Sequence, residues 1–249
     1  AAIKLLRQGA DHAAVLARFR NERQILAGLE HPNIARLLDG GAADDGTPWL
    51  ALELAEGEAI DLHCARRGLT VDQRLALFSQ VCDAVQHAHR HGVIHRDIKP
   101  ANVIVTADGV PKLLDFGIAK LLGDELAAQT LAQTLDGSRL LTPYYASPEQ
   151  VRGGAVTTAT DVYGLGLLLY ELLTGQNPHR LRSRVVQEIL RVICEEEPTR
   201  PSTVVLTGPA ADGTTQPALA PEQARALGRQ LSGDLDNIVA KALRLEPGE

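Results

Sequence analysis

Apolar residues follow two regimes along the chain. Over residues 1–55 short apolar runs surround one amphipathic stretch. Ala1 to Leu6 predicts a strand whose beginning is missing. Asp11 to Leu29 predicts a helix, with Leu16, Phe19, Leu26 and Leu29 on one face and Arg18, Arg20, Glu22 and Arg23 among the polar positions. His31-Pro32 ends that helix, because a residue before proline is pushed out of the helical region. Ile34–Leu38 and Trp49–Leu54 predict strands, joined through a turn at Asp44-Asp45-Gly46.

Glu56-Gly57-Glu58 looks like a hinge, and the pattern beyond it becomes helical. Thr70 and Gln73 have capping-box spacing. The helix they open carries Leu75, Phe78, Cys82 and Val85 on one face, with Gly92 as its left-handed stop. Val103–Val105 and Lys112–Leu114 predict a hairpin around Asp108-Gly109. Asp161 to Thr174 is apolar on every side and predicts a central buried helix, capped by Asp161 and stopped by Gly175. Ser202–Gln216 reads as a Thr/Gly/Pro-rich loop, and Pro221–Leu231 and Asp234–Leu243 as the last helices.

Composition narrows the classes. The 45% hydrophobic and 22% charged content is that of a soluble globular protein, and 3% aromatic residues leave an aliphatic core. A net charge of −6 argues against nucleic-acid binding by phosphate neutralisation. Three widely spaced cysteines (Cys64, Cys82, Cys194) form neither a disulfide framework nor a zinc pattern, and fit a reducing cytoplasm. The most apolar run, Val162–Leu173, already contains Glu171 and falls short of the ~20 residues a bilayer requires. No secretory signal is visible. Methionine is absent and the chain opens in mid-pattern, so it reads as a fragment of a longer protein, whose anchor, if it has one, would lie elsewhere.

Four motifs stand in order: His95-Arg96-Asp97-Ile98-Lys99-Pro100-Ala101-Asn102, then Asp115-Phe116-Gly117 eighteen residues after Asp97, then Ser147-Pro148-Glu149, then Asp161-Val162-Tyr163-Gly164. Any one alone is weak. Together they resemble the eukaryotic-like (Hanks-type) protein Ser/Thr kinases over essentially the whole chain. Leu29-Glu30-His31-Pro32-Asn33-Ile34 and Ala146-Ser147-Pro148-Glu149-Gln150 look like the bacterial members. The resemblance implies a two-lobed α+β fold. Residues 1–55 would form an incomplete β-rich N-lobe and residues 56–249 a larger, mostly helical C-lobe.

The resemblance also implies roles. Asp97 would accept the proton of a substrate Ser or Thr hydroxyl, and Lys99 would reach the transferring phosphate and favour Ser/Thr over Tyr. Asn102 and Asp115 would be oxygen ligands for Mg²⁺, with Mn²⁺ as an alternative. Lys4 would hold the ATP phosphates and pair with Glu22. Leu52 matches the gatekeeper position. The backbones of Glu53 and Ala55 would meet the adenine edge, and Ala2 and Ile104 would sandwich its ring. Arg96 would receive a phosphate on the activation segment at Thr130, Thr134 or Ser138, while Thr142 would help wall the substrate. Glu149 would pair with Arg244. The implied partners are ATP, protein substrates and a second copy for trans-autophosphorylation, with no nucleic acid and no membrane within this fragment.

Other readings compete. His87, His89, His91 and His95 cluster, and His87 and His91 lie four apart, but no carboxylate or cysteine completes a zinc set nearby. Arg180, Arg182, Arg184 and Arg191 read as a solvated basic patch able to dock an acidic partner. A non-catalytic interaction module of the same fold would have no need of Lys4, Glu22, Asp97, Asn102 and Asp115 together. A small-molecule phosphotransferase is disfavoured by Ser147-Pro148-Glu149 and the long activation segment. The glycine-rich loop of this family, which would lie upstream of Lys4, is not in the sequence. The fragment alone is therefore expected to bind ATP weakly and transfer little phosphate.

Overall fold

The computed structural model describes residues 1–5, 26–116, 143–179, 185–207 and 219–246. Strands β1 (Ala2–Leu5), β2 (Leu37–Ala42) and β3 (Pro48–Leu52) form an antiparallel sheet in the order β1-β3-β2. The central strand carries the fully buried Leu50, opposite Lys4 on one side and Gly40 on the other. Strand periodicity sets the faces of β1. Ala2 and Lys4 point one way, while Ile3 and Leu5 point the other and stay exposed. Gly46 takes the left-handed conformation in the β2–β3 turn, where the Thr47 amide donates to Asp45 Oδ1.

Ile34 is not in this sheet, contrary to the Ile34–Leu38 strand. It forms a lone parallel bridge with Leu113 and is buried there. The reason is local: the Asn33 side chain donates to Pro111 O at 2.9 Å, which draws the segment after Pro32 onto the hairpin before it can join β3. Of the helix read over Asp11–Leu29, only its end is described, with Leu26 and Leu29 buried; residues 6–25 lie outside the described residues.

The segment read as a hinge runs directly into β4 (Gly57–Ala59), which pairs with β5 (Val103–Thr106), and β5 pairs with β6 (Pro111–Leu113). Gly57 allows a close approach, since a Cβ there would lie 2.1 Å from Val105 O. Helix α1 (Ile60–Arg66) follows, then α2 (Val71–Arg90), whose Thr70/Gln73 capping box is formed and whose chain turns at Gly92 with φ +71°. The buried face of α2 is Leu77, Val81, Ala84, Val85 and Ala88, rather than the row through Leu75, Phe78 and Cys82. Helix α2 packs against both β6 and the central helix, so the bisector of two contacts is buried and the expected row is only half-buried.

After α3 (Pro148–Arg152), α4 (Thr158–Thr174) is the buried axis of the helical lobe and ends at Gly175 with φ +71°. Its cap is Thr157, in a box with Thr160, and not Asp161, which sits inside the first turn. Gly164 meets Ile98 and Gly166 meets Ala242 and Leu243, positions where any Cβ would be crowded. Of the helices α5 (Val186–Glu195), α6 (Pro201–Val204), α7 (Pro221–Leu231) and α8 (Asp234–Ala242), α6 and α8 pack on it, α7 packs on α6 and α8, and α5 packs on α3. The loop expected from Ser202 therefore begins with a helical turn. Ser202 is held by Asp236 through its amide (3.0 Å) and its hydroxyl (2.5 Å), and these bonds override the local Thr/Pro composition. Among the described residues no helix is long and apolar enough to cross a membrane.

Candidate active site

The segment 93–102 leaves α2, passes beneath α4 and enters β5. It is fixed by one buried carboxylate. Asp161 accepts the backbone amides of His95 and Arg96, each at 2.8 Å, and the ring of His89 at 2.7 Å. That explains why Asp161 is not a helix cap: its oxygens are turned onto another segment. Arg96 has φ +72°, a left-handed conformation that costs a non-glycine residue on the order of 1–3 kcal/mol. His95 is wholly buried. Its Nε2–H donates to Leu114 O at 2.7 Å and its Nδ1 accepts the Asp97 amide at 3.2 Å. Burial lowers its pKa, so the ring serves as a neutral bridge.

This bridge joins Asp97 to the residue preceding Asp115. The Leu114 amide in turn donates to Asn102 O at 2.8 Å, and the rings of His95 and Phe116 meet edge to face at 4.6 Å. Asp97, Lys99 and Asn102 form one cluster. Asp97 Oδ2 accepts from Lys99 Nζ at 2.7 Å and from Asn102 Nδ2 at 3.0 Å, and Asn102 Nδ2 also donates to Asp97 O at 2.7 Å. Asp97 keeps 37% of its side chain exposed, enough for a substrate hydroxyl to reach it. Asp115, at φ +66°, ion-pairs with Lys4 across the gap between β1 and β6.

The chemistry of the donors fits a divalent cation. The Asn102 amide nitrogen is committed twice to Asp97, which leaves its oxygen as the group it can offer, and the Asp115 carboxylate already faces a cation in Lys4. A carboxylate and an amide oxygen are hard donors of the kind Mg²⁺ takes.

The residues expected to border an adenine are spread over β1, β3, β5 and the segment between β3 and β4. Ala2 pairs with Leu52 across β1 and β3, and Ile104 lies on β5 opposite Ala59. The Glu53 amide donates to Arg36 O at 2.8 Å, so its carbonyl is the backbone group it can present to a ligand. Its side chain turns away, pairing with Lys112 at 2.9 Å and accepting from the Arg36 amide at 3.1 Å. Ala55 is half-buried just before β4. Glu22, Thr130, Thr134, Ser138, Thr142, Arg180, Arg182 and Arg184 lie outside the described residues.

One reading is corrected. Glu149 does not pair with Arg244. Its Oε1 accepts from the Thr160 hydroxyl at 2.6 Å, tying α3 to the first turn of α4, while Arg244 is exposed just after α8. The four histidines form no metal set; among the described residues no group of three or more His, Cys, Asp or Glu could hold a metal ion. Three of the four use a ring nitrogen otherwise, His89 on Asp161, His91 on His87 O and His95 on Leu114 O. The free thiols of Cys64 and Cys82 are pushed up to about 11 by burial and are poor nucleophiles.

A family model described as Protein kinase domain matches residues 1–248. The serine/threonine-protein kinase PknB of Mycobacterium tuberculosis is 34% identical to this chain over 99% of it and 36% of its own length. A probable serine/threonine-protein kinase PknB of Lactococcus lactis is 38% identical over 71% of the chain and 27% of its own length. A probable serine/threonine-protein kinase of Corynebacterium efficiens is 37% identical over 82% of the chain and 31% of its own length. The chain thus spans about a quarter to a third of the curated relatives it matches.

Proposed function

Because this chain belongs to the protein kinase domain family, we propose that the protein containing it is a bacterial protein Ser/Thr kinase, which transfers the γ-phosphate of ATP to Ser and Thr hydroxyls of proteins. The observation that carries this reading is the Asp97 cluster. A half-exposed carboxylate is held by Lys99 and Asn102, and it is joined through His95 to the segment bearing Asp115 and its Lys4 partner.

In this reading the chain divides at residue 55, and ATP lies between the two parts. Leu52, Glu53 and Ala55 border the adenine, with Ala2 above it and Ile104 below. Asn102 and Asp115 hold Mg²⁺, or Mn²⁺ in its place. When bound there, the metal would screen the charge that builds on the phosphates. The residues of the chain do the rest. Asp97 orients the attacking hydroxyl and takes its proton, and Lys99 balances the charge beside it. Lys4 turns from Asp115 to the phosphates, where Glu22 steadies it. Two copies meet to phosphorylate each other in the segment between Gly117 and Ser147, at Thr130, Thr134 or Ser138, and the new phosphate docks on Arg96. The kinase domain works in the cytoplasm.

The test is Asp97→Asn in the full-length protein. Asparagine keeps the shape and an acceptor for Lys99 and Asn102 but cannot take the proton. Phosphate incorporation into a Ser/Thr peptide should fall by about 10²–10⁴-fold, the usual contribution of a general base, with the melting temperature unchanged. Transfer within a few-fold of the parent protein removes Asp97 from this role.

A further inference from the structure

Gln150 follows Ser147-Pro148-Glu149, and its side-chain amide is used at both ends. Gln150 Oε1 accepts the Ser147 amide at 3.0 Å, and the Gln150 backbone amide approaches Ser147 Oγ at 3.4 Å, which together form the capping box of α3. The other end leaves the helix. Gln150 Nε2 donates to Arg96 O at 2.7 Å, across 54 residues of sequence. The two contacts also fix which end of the amide is oxygen, since one partner is a donor and the other an acceptor.

Arg96 is the residue held at φ +72°, and its carbonyl belongs to the peptide plane that carries the Asp97 amide. Asp161 grips the N–H of Arg96 at 2.8 Å. Gln150 grips its C=O. A left-handed non-glycine residue persists only when its surroundings over-determine it, and here one group holds each end. Asp161 comes from the central helix; Gln150 comes from the helix that follows the segment walling the substrate.

We propose that Gln150 is a positioning residue for phosphoryl transfer: it clamps the Arg96–Asp97 peptide plane and makes the placement of Asp97 depend on the docking of α3. This rests on the kinase reading above. A capping box accepts either Gln or Glu at its third position. A chain needing only the cap could therefore carry either residue, whereas a donor to Arg96 O requires the amide. Gln150 does not touch substrate; it acts through the backbone of Arg96.

Two substitutions in the full-length protein separate the roles. Gln150→Glu keeps the oxygen that caps α3 but sets a carboxylate oxygen against Arg96 O. Gln150→Met fills the space and loses both bonds. The expected result is a fall in kcat of about tenfold or more in both variants, the size of loss that small misplacements of reacting groups produce. KM for ATP should be unchanged. Melting temperature should fall further in Gln150→Met, which alone loses the cap. Hydrogen exchange over residues 95–102 should quicken in both. A kcat that tracks melting temperature, with Met worse than Glu, overturns the proposal, as does a parent-like kcat and exchange in Gln150→Glu. If the parent protein itself transfers no phosphate, the kinase reading fails, and the exchange rates alone then decide whether Gln150 clamps this peptide.

Discussion

Glu171 is a carboxyl buried in the last turn of α4, and replacing it with Gln should change how stability depends on pH. Its pKa is raised from 4.5 to about 7, first by loss of solvent and then by the nearby charge of Asp61, against the lowering effect of the hydrogen bond from Tyr145. Tyr145 OH donates to Glu171 Oε2 at 2.7 Å. The sign follows from proton binding. Between pH 4.5 and 7 the unfolded chain releases this proton and the folded chain keeps it. The stabilisation is complete below pH 4.5 and is lost as pH rises through 7. A tenfold difference in proton affinity between the folded and unfolded chain is worth ~1.4 kcal/mol, so the rise from 4.5 to about 7 amounts to ~3 kcal/mol. Glu171→Gln keeps an oxygen for the Tyr145 hydroxyl and carries no proton to lose. Relative to its parent, the variant should therefore gain ~3 kcal/mol between pH 4 and pH 8, roughly 6–12 °C in melting temperature for a domain of this size. Thermal denaturation of both proteins across that range measures it. Other titrating groups cancel in the difference, so a gap between variant and parent that is the same at pH 4 and pH 8 would refute the reasoning.

His179 should act in the opposite direction. Burial lowers its pKa from 6.5 to about 4, so the unfolded chain gains a proton first and stability is lost as pH falls from 6.5 through 4. His179→Phe should remove that loss, about 3 kcal/mol over the window, while the Tyr163 hydroxyl, which lies 3.1 Å from His179 Nε2, loses its partner at a cost equal at every pH; parallel denaturation curves for the two proteins would count against it. Gly57→Ala should destabilise by about 1–3 kcal/mol, because the new Cβ would lie 2.1 Å from Val105 O unless β4 moves away from β5; an unchanged urea midpoint would mean that β4 yields freely.

Elements with purely local causes could be read from the sequence. The α2 capping box, the hairpin turn at Gly109 (φ +79°), the stop at Gly175 and helices α7 and α8 depend on residues a few positions apart. The errors came where a side chain answered to a distant segment. Asp161 has the type and position of a cap, yet its oxygens are taken by amides 65 and 66 residues away. Asn33 pulled Ile34 out of its strand in the same way. Glu149 found the hydroxyl of Thr160, eleven residues on, before any arginine. The candidate site residues Asp97, Lys99, Asn102 and Asp115 stood out because they lie in spaced motifs, and Lys4 because the resemblance gives it a role. Gln150 carried no such signal, since a Gln at the third position of a helix is fully explained by its cap.

The same distinction accounts for how the site is held. Periodicity describes residues in ordinary strands and helices, while Arg96 and Asp115 sit at φ +72° and φ +66°, outside both. Two such residues cost together on the order of 2–6 kcal/mol, and an isolated loop would relax. What prevents relaxation is a chain of buried polar contacts. Asp161 fixes the amides of His95 and Arg96, Gln150 fixes the Arg96 carbonyl, and His95 fixes the Leu114 carbonyl one residue before Asp115. The contacts of Gln150 and His95 are neutral hydrogen bonds, each worth only ~1 kcal/mol net, and those to the Asp161 carboxylate are worth about 1.5–3 kcal/mol. Breaking one, however, leaves a buried group without its partner as well as a strained residue without its restraint. The two carboxylates of the site therefore stand or fall together through His95. A change at that ring, although it touches neither substrate nor metal, should disturb Asp97 and Asp115 in one step.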